Sequence, residues 1–134
     1  MDEPVWIPKE VVLALHARQL AEHGGSDGLR DDGLLESALA RPQQRWSYGT
    51  PAPDLCALAA SYAAGLAKNH PFLDGNKRTA HVVYRLFLKR NGLDLTASME
   101  DRYFAIWRLA AGEVDEAWFG EWLRANIREA DGAT

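Results

Sequence analysis

The residues best suited to chemistry lie in one short segment, which reads Asn69-His-Pro-Phe-Leu-Asp-Gly-Asn-Lys-Arg-Thr79. His70 is followed four residues later by Asp74, and the cations Lys77 and Arg78 come shortly after it. An imidazole exchanges a proton near neutral pH, a carboxylate ligates Mg²⁺, and lysine or arginine binds phosphate. Together these residue types indicate chemistry on a phosphate group.

The segment is predicted to contain the break between two helices. Pro71 ends the first helix and restricts the residue before it, His70, to extended conformations. Asp74 and Gly75 are typical of a turn, and the second helix is predicted to begin near Asn76. The catalytic candidates therefore lie on both sides of one turn.

The start of the second helix is expected to bind an anion. Its first amides, from Gly75 to Arg78, lack partners within the helix and lie at the positive end of the helix dipole. Lys77 and Arg78 oppose that dipole, so a sequence selected for stability alone would avoid them there. A bound polyphosphate resolves the conflict. The alternative is a solvated basic turn.

Asp74 and His70 each have a structural alternative. Asp74 either caps the second helix or holds Mg²⁺, which takes one or two carboxylates together with phosphate oxygens. A lone histidine is more often structural, but one beside an anion site, a carboxylate and two cations is more often catalytic. Phe72 is expected to anchor the loop and to take no part in the chemistry.

Helical periodicity dominates the sequence and predicts six helices. Their approximate bounds are Pro8 to Glu22, Asp32 to Ala40, Asp54 to Lys68, Asn76 to Asn91, Ser98 to Gly112 and Asp115 to Glu129. Pro42 is expected to end the second helix, Gln43 to Pro53 to form a loop, and Ala130 to Thr134 to fray. The short connections predict an all-α fold, a single six-helix bundle formed by one domain over 1–134.

The composition limits the classes of protein that this chain can represent. A formal net charge of −4 argues against broad nucleic-acid binding, which needs a basic surface. No segment resembles a signal peptide or approaches the roughly 20 apolar residues of a membrane span, so we expect a soluble, cytoplasmic protein. Cys56, the one cysteine, is expected to be a buried, inert thiol. Trp107, Trp118 and Trp122 are expected in the core.

The motif segment resembles the signature of the Fic fold, His-Pro-Phe-x-Asp-Gly-Asn-x-Arg, and its Asn-Lys-Arg end (76–78) is typical of the Doc branch. Gly24-Gly25 and the run from Gly28-Leu-Arg-Asp31 to Pro42 are similar to the N-terminal signature of death-on-curing toxins. The resemblance covers nearly the whole chain. It implies a helical bundle in which the motif loop joins the two central helices.

The resemblance also implies a role for each motif residue. His70 is implied to be the general base that takes the proton from a Ser, Thr or Tyr hydroxyl of a target protein, and Asp74 to hold Mg²⁺. Gly75, Asn76 and the helix amides are implied to form the anion hole, and Arg78 to bind phosphate.

Lys77 bears on the type of reaction. Most Fic enzymes transfer AMP and have glycine at this position, whereas Doc-like proteins bind the nucleotide in the reverse direction and present its γ-phosphate. The resemblance thus implies a Ser/Thr protein kinase that uses ATP and Mg²⁺, with Lys77 in phosphate binding. Gly75 stands where the Doc prototype has alanine, as in the AMP-transferring branch, so AMP transfer is the alternative. A non-catalytic Fic binding module is the second alternative.

The implied biological role is that of a toxin in a type II toxin–antitoxin system. The family implies elongation factor Tu as the target, arrest of translation as the effect, and a cognate antitoxin whose disordered segment folds on binding. Self-inhibition in cis is not expected. Thr96 and Glu100 match the inhibitory Ser/Thr-x-x-x-Glu pattern only in part, and ordinary capping of the helix that begins at Ser98 explains them.

Overall fold

Six helices and one two-stranded sheet make up residues 2–130, the part of the chain that this computed structural model describes. In chain order the elements are α1 (Lys9–His23), α2 (Asp32–Tyr48), α3 (Leu55–Asn69), α4 (Asn76–Arg90), β1 (Leu93–Leu95), α5 (Met99–Ala110), α6 (Glu116–Ala125) and β2 (Ile127–Glu129). The predicted six-helix bundle, with the motif loop between α3 and α4, is confirmed. The small sheet is an addition that the periodicity did not predict.

The centre of the bundle is α3, which packs against α2, α4, α5 and α6. Almost all of its residues from Cys56 to Ala67 are buried. Small residues let α2 and α3 approach closely. At Gly65 of α3, an added Cβ would lie only 3.1 Å from the Cβ of Ala38 in α2, so a larger residue would not fit without a shift. The central place that the resemblance implied for this helix is confirmed, and its C-terminal end leads directly to His70.

Side-chain caps fix the starts of the helices around α3. Asp54, Ser98 and Asp115 each accept a hydrogen bond from the amide three residues further on, at 2.8–3.1 Å. Asp31 does the same for α2, at 3.0 Å. Each contact satisfies one of the amides that a helix start leaves without a partner. The capping expected at Ser98 is therefore confirmed.

The prediction that Pro42 ends the second helix is wrong, because α2 continues through it. Proline removes one helical hydrogen bond and bends a helix, but tertiary contacts hold the second half of α2. Pro42 is itself buried, and Arg45 forms an ion pair with Glu116 of α6 at 2.6 Å. The loop was predicted over Gln43 to Pro53, but its first part, up to Tyr48, belongs to α2.

The prediction that the last helix reaches Glu129 is also wrong, because α6 ends earlier and the chain turns into β2. This strand pairs antiparallel with β1, placing Ile127 opposite Leu95. The Thr96 amide extends the pairing by donating to the Asn126 carbonyl at 2.7 Å. Three-residue strands leave no periodic signal in a sequence, and α5 and α6 separate the two partners along the chain.

Two single features agree with expectation. Cys56 is buried, and burial raises the pKa of its thiol to about 11, so the thiol is unreactive at neutral pH. None of the helices described for residues 2–130 is long and apolar enough to cross a membrane. Fraying was predicted for Ala130 to Thr134. The Ala130 amide donates to the Gly92 carbonyl at 2.9 Å, and residues 131–134 lie outside the described part, so fraying there stays a prediction.

Candidate functional site

The loop that joins α3 to α4 begins at His70, whose backbone is left-handed with φ 49° and ψ 55°. The expectation of an extended conformation is therefore wrong. Pro71 disfavours the right-handed helical region for the residue before it, and the left-handed region offers another way to stop a helix. This conformation costs a non-glycine residue about 1–2 kcal/mol, so other contacts must hold it. The His70 side chain is exposed at the wall of a cavity.

Arg30 holds this turn in place. Its Nε donates to the carbonyl oxygen of His70 at 2.6 Å, and its Nη2 donates to that of Asn69 at 2.8 Å. Both carbonyls lie at the end of α3, where helical partners are missing. The Arg30 amide also donates to the Pro71 carbonyl at 2.7 Å. The sequence pointed to Arg30 only through a resemblance and gave it no role.

Phe72 and Asn76 brace the middle of the loop. The Asn76 side chain accepts from the amide of Phe72 and donates to its carbonyl, both at 3.0 Å. Phe72 is buried, as expected of an anchor, and its ring stacks on that of His16 with 3.7 Å between the centroids. Because its side chain is committed to the loop, Asn76 offers the predicted anion hole its backbone amide.

His16 supports the loop from the other side and was not predicted from the sequence. It is buried on α1, and its Nε2 lies 2.8 Å from the carbonyl oxygen of Asp74. Since a carbonyl oxygen only accepts hydrogen bonds, Nε2 must carry the proton. The signal was weak because a single histidine within an amphipathic helix is indistinguishable from a core residue.

Asp74 is not the N-cap of α4, so the structural alternative for this residue is wrong. The cap position is Gly75, and no side chain caps the helix. The Asp74 Oδ1 accepts from the amide of Gly75 at 2.8 Å, and Oδ2 from that of Ser26 at 3.3 Å. A Cβ on Gly25 would lie 2.8 Å from Oδ2. The loop between α1 and α2 therefore orients this exposed carboxylate.

The first turn of α4 has the geometry expected of an anion site. The amides of Asn76, Lys77 and Arg78 have no acceptor among residues 2–130. Lys77 and Arg78 are exposed at the same helix end, and no described carboxylate pairs with either of them. Three open amides and two cationic residues thus lie at the same end of α4.

A cavity of about 800 Å³ opens in front of this turn. Every site residue predicted from the sequence lines it: His70, Asp74, Gly75, Asn76, Lys77 and Arg78. The opposite wall is formed by α5, with Tyr103 and Trp107 among its residues, and the end of α1 closes one side. The structure therefore brings the predicted residues together in a single concave site.

Lys77 reaches across the cavity to α5. Its Nζ lies 3.8 Å from the centroid of the Trp107 ring, a distance at which a cation and an aromatic face attract each other. The prediction that Trp107 belongs to the core is wrong, since 46% of it is exposed. Trp118 is also partly exposed, whereas Trp122 packs against the core as expected.

His81 and Arg85 line the same cavity further along α4. Burial, and then the positive charges of Arg85 and Arg102, lower the pKa of His81 to about 4. Its imidazole is therefore neutral at physiological pH, with a buried Nδ1 that has no hydrogen-bond partner among the described residues. Sequence reasoning missed both residues because they lie inside a regular helix and outside the motif.

Asp74 can serve as a metal ligand only together with oxygens from a substrate or water. No group of three or more His, Cys, Asp or Glu residues suited to a metal ion occurs within 2–130. Mg²⁺ commonly takes one or two carboxylates and fills its other positions with water and phosphate oxygens. One exposed carboxylate beside an anion site fits such a metal.

Glu100 has the position expected of an ordinary first-turn residue. It is exposed at the start of α5, where Ser98 caps the helix. Within the described part of the chain, no ion pair joins Glu100 to Arg78. Glu100 is thus explained by its place in the first turn of a helix capped by Ser98.

Comparison with known proteins gives consistent matches. A family model described as the Fic/DOC family matches residues 6–88, which include α1 to α3, the motif loop and all of α4 except its last two residues. "Protein kinase doc" of Escherichia phage P1 is 35% identical over 125 residues, covering 93% of this chain and 98% of that protein. "Toxin Doc" of Mycolicibacterium smegmatis is 46% identical over 78 residues, covering 58% of this chain and 59% of that protein.

Proposed function

Since the chain belongs to the Fic/DOC family, we propose that it is a Doc-like toxin that transfers the γ-phosphate of ATP to a hydroxyl group of a target protein. The printed names of its relatives, a protein kinase and a toxin, support this class. The observation that carries the proposal is the single cavity in which an exposed histidine faces an anion site. Phosphoryl transfer demands mainly positioning and neutralisation of charge, which this arrangement can supply.

The His70 imidazole takes the proton of the attacking hydroxyl. The hydroxyl oxygen then forms a bond to the γ-phosphorus while the bond from that phosphorus to the β,γ-bridging oxygen breaks, so that ADP leaves with the electron pair. A general base of this kind contributes about 10²–10⁴ in rate. Arg30 supports the reaction indirectly, because it holds the backbone turn that presents the imidazole.

The anion site binds the phosphates. The amides of Asn76, Lys77 and Arg78 and the two side-chain cations neutralise charge on the transferred group. Mg²⁺, held by Asp74, would supply further neutralisation of the phosphate oxygens when bound.

Lys77 favours phosphoryl transfer over AMP transfer. A glycine at this position leaves room for several phosphates to follow the start of α4 inward, whereas a lysine stem and ammonium occupy that space. The contact with Trp107 keeps the ammonium inside the cavity, where it can hold a terminal phosphate. AMP transfer remains the second candidate because Gly75 matches the AMP-transferring branch. A non-catalytic binding module would not require an exposed histidine beside an open anion site.

Membership of this family gives grounds for proposing two protein partners. Elongation factor Tu is the proposed target, and its phosphorylation would arrest translation in the cytoplasm. A cognate antitoxin with a segment that folds on binding is the proposed regulator. The chain needs no nucleic acid for this activity, and Ser or Thr hydroxyls are the proposed acceptors.

Isotope labelling tests the reaction. The protein, purified and incubated with elongation factor Tu and Mg²⁺, is expected to transfer label from ATP carrying ³²P at the γ-position. Label on the adenosine moiety should stay in solution. A folded His70→Ala variant, checked by circular dichroism, should lose the activity by about 10²-fold or more. Undiminished transfer by that variant, or transfer of the adenosine label by the native protein, would refute the proposed mechanism.

A further inference from the structure

A second cavity, of about 320 Å³, lies beside the motif cavity, between α4 and the β1–β2 sheet. We call it the basic pocket. Among residues 2–130, its charged lining consists of Arg85, Lys89, Arg102 and Arg128 together with one carboxylate, Asp94. No residue from His70 to Arg78 lines it, so it is distinct from the motif loop.

Three of the four cations of the basic pocket lack a balancing carboxylate among residues 2–130. Arg85, Lys89 and Arg102 have no carboxylate within ion-pair distance among residues 2–130. Arg102 donates to two backbone carbonyls, of Ala97 and Leu95, which orients its guanidinium but does not neutralise it. Burial, and then the nearby Arg102, lower the pKa of Arg85. In a chain with a net charge of −4, such a cluster attracts an anion locally.

The walls of the basic pocket select for an aliphatic anion. Its uncharged lining side chains are Val82, Leu86, Leu88, Leu93 and Leu95, and no aromatic ring lines it. A nucleobase would therefore find no ring to stack on, in contrast to the motif cavity with its Tyr103 and Trp107. Acidic side chains next to leucine or valine match both the charge and the walls.

The position of the basic pocket suits a substrate that must leave the motif free. Val82 and Arg85 line both cavities, so the two adjoin. Arg78 and Lys89 are eleven residues apart on α4, which corresponds to about 16 Å along the helix axis. A chain segment held at Lys89 can thus continue towards His70 and present a hydroxyl there without covering the anion site.

We propose that the basic pocket is a docking site for an acidic, aliphatic segment of the protein substrate, which it holds beside the motif cavity. The proposal rests on the proposed kinase function. It assigns Arg85 and Lys89 a part in choosing the target, separate from the phosphate chemistry at the motif.

Three variants test the docking site against a fluorescein-labelled Glu-Leu-Glu-Leu-Glu peptide. Lys89→Glu should weaken binding by at least about fivefold, since it reverses a charge in the pocket. Arg90→Glu makes the same charge change at the next, equally exposed position, which does not line the pocket, and should change binding by less than about twofold. Asp94→Asn removes the one carboxylate of the pocket and should strengthen binding. Fluorescence anisotropy measures all three.

The outcomes separate this proposal from the proposed function. Equal effects of Lys89→Glu and Arg90→Glu, or no binding by the native protein, would overturn the docking site. Competition by saturating ATP would place the peptide in the motif cavity and would also overturn it.

Lys89→Glu should bind a fluorescent ATP analogue normally, and should raise KM for elongation factor Tu with kcat unchanged. An unchanged KM would exclude a role in substrate docking. If the native protein does not modify elongation factor Tu, the proposed target fails and peptide binding alone decides the docking site.

Discussion

At the scale of single residues, Gly75 and Lys77 have different physical explanations. Gly75 has φ 79° at the cap position of α4, and glycine avoids the strain of about 1–2 kcal/mol that another residue would incur there. The backbone therefore accounts for Gly75 without reference to a substrate. Lys77 has no such reason, because a cation at the start of a helix opposes the dipole. Substrate binding is the function that explains the lysine.

Changing each of these two residues tests which of them determines the product. Lys77→Gly is expected to lose phosphoryl transfer, because the ammonium proposed to hold the terminal phosphate is absent. Gly75→Ala, the matched control, should still yield a phosphorylated target, because its Cβ would meet no atom closer than 3.5 Å. The strain of about 1–2 kcal/mol at its positive φ should lower stability without changing which phosphate is presented. Mass spectrometry of the target distinguishes a phosphoryl group, about 80 Da, from an adenylyl group, about 329 Da. Adenylylation by the native protein would contradict the assignment to Lys77.

The sequence predicted the motif residues because they form a compact pattern of chemically distinctive side chains. It did not predict His16 or Arg30, which act on the backbone carbonyls of Asp74, Asn69 and His70. A carbonyl group is present at every residue, so no sequence pattern marks which one a distant donor will reach. Supporting residues of this kind become visible only in the folded chain.

At the scale of elements, the motif loop is held between two parts of the chain that precede it. The segment over 28–31 pairs with the loop, with Leu29 bridged to Phe72, while α1 supports it through His16. Pro42 and the β1–β2 sheet were mispredicted for the same reason, which is that tertiary contacts outweighed the local sequence signal. Local propensity correctly placed most helix starts, but it failed where tertiary contacts prevailed over a proline or joined strands that are far apart in the chain.

Arg30 is expected to be a positioning residue whose loss impairs turnover more than folding. Arg30→Ala removes two hydrogen bonds that hold the left-handed His70, so we expect kcat to fall about tenfold or more while KM for ATP stays close to normal. Arg30→Lys offers one ammonium in place of a two-pronged guanidinium and should restore activity only in part. Stability should change little, because Arg30 is exposed.

The control for Arg30 is Arg18→Ala, at an exposed arginine of α1 whose ion pair with Glu22 lies at the surface. Surface pairs of this kind contribute little to stability, and among residues 2–130 no hydrogen bond or ion pair joins Arg18 to the motif loop. A kcat for Arg30→Ala equal to that of the Arg18→Ala control would show that the turn needs no support from the guanidinium.

At the scale of the whole molecule, cations are concentrated along one face of α4. Arg78, Arg85 and Lys89 follow one another at intervals that keep them on the same side of the helix. Arg78 lines the motif cavity, Lys89 lines the basic pocket, and Arg85 lines both. The chain is otherwise acidic, with a net charge of −4. This distribution draws anionic ligands towards α4. Burial, and then the positive charges of Arg85 and of Arg102 on α5, lower the pKa of the partly buried His81.

Protonation of His81 should make the fold less stable at mildly acidic pH. Its pKa is about 4 in the folded protein and about 6.5 when unfolded, so as the pH falls the unfolded state binds the proton first. The stability contributed by the neutral ring is complete above about pH 6.5 and is lost between about pH 6.5 and pH 4. The loss amounts to at most about 3 kcal/mol.

Urea denaturation at about pH 7 and about pH 5 measures this effect, and His81→Gln, which cannot titrate, should show a smaller difference between the two conditions. Asp54, whose pKa is lowered chiefly by its hydrogen bond with Arg124, destabilises the fold only at still lower pH, because a carboxyl group with a depressed pKa loses its contribution below its usual range. The pH ranges in which His81 and Asp54 affect stability are therefore separable.

An NMR titration of the His81 ring in the native protein gives a second measurement, which does not depend on how well the variant folds. If the His81 ring becomes protonated near pH 6.5, burial beside two arginines does not govern it, and the pH dependence of stability must have another origin.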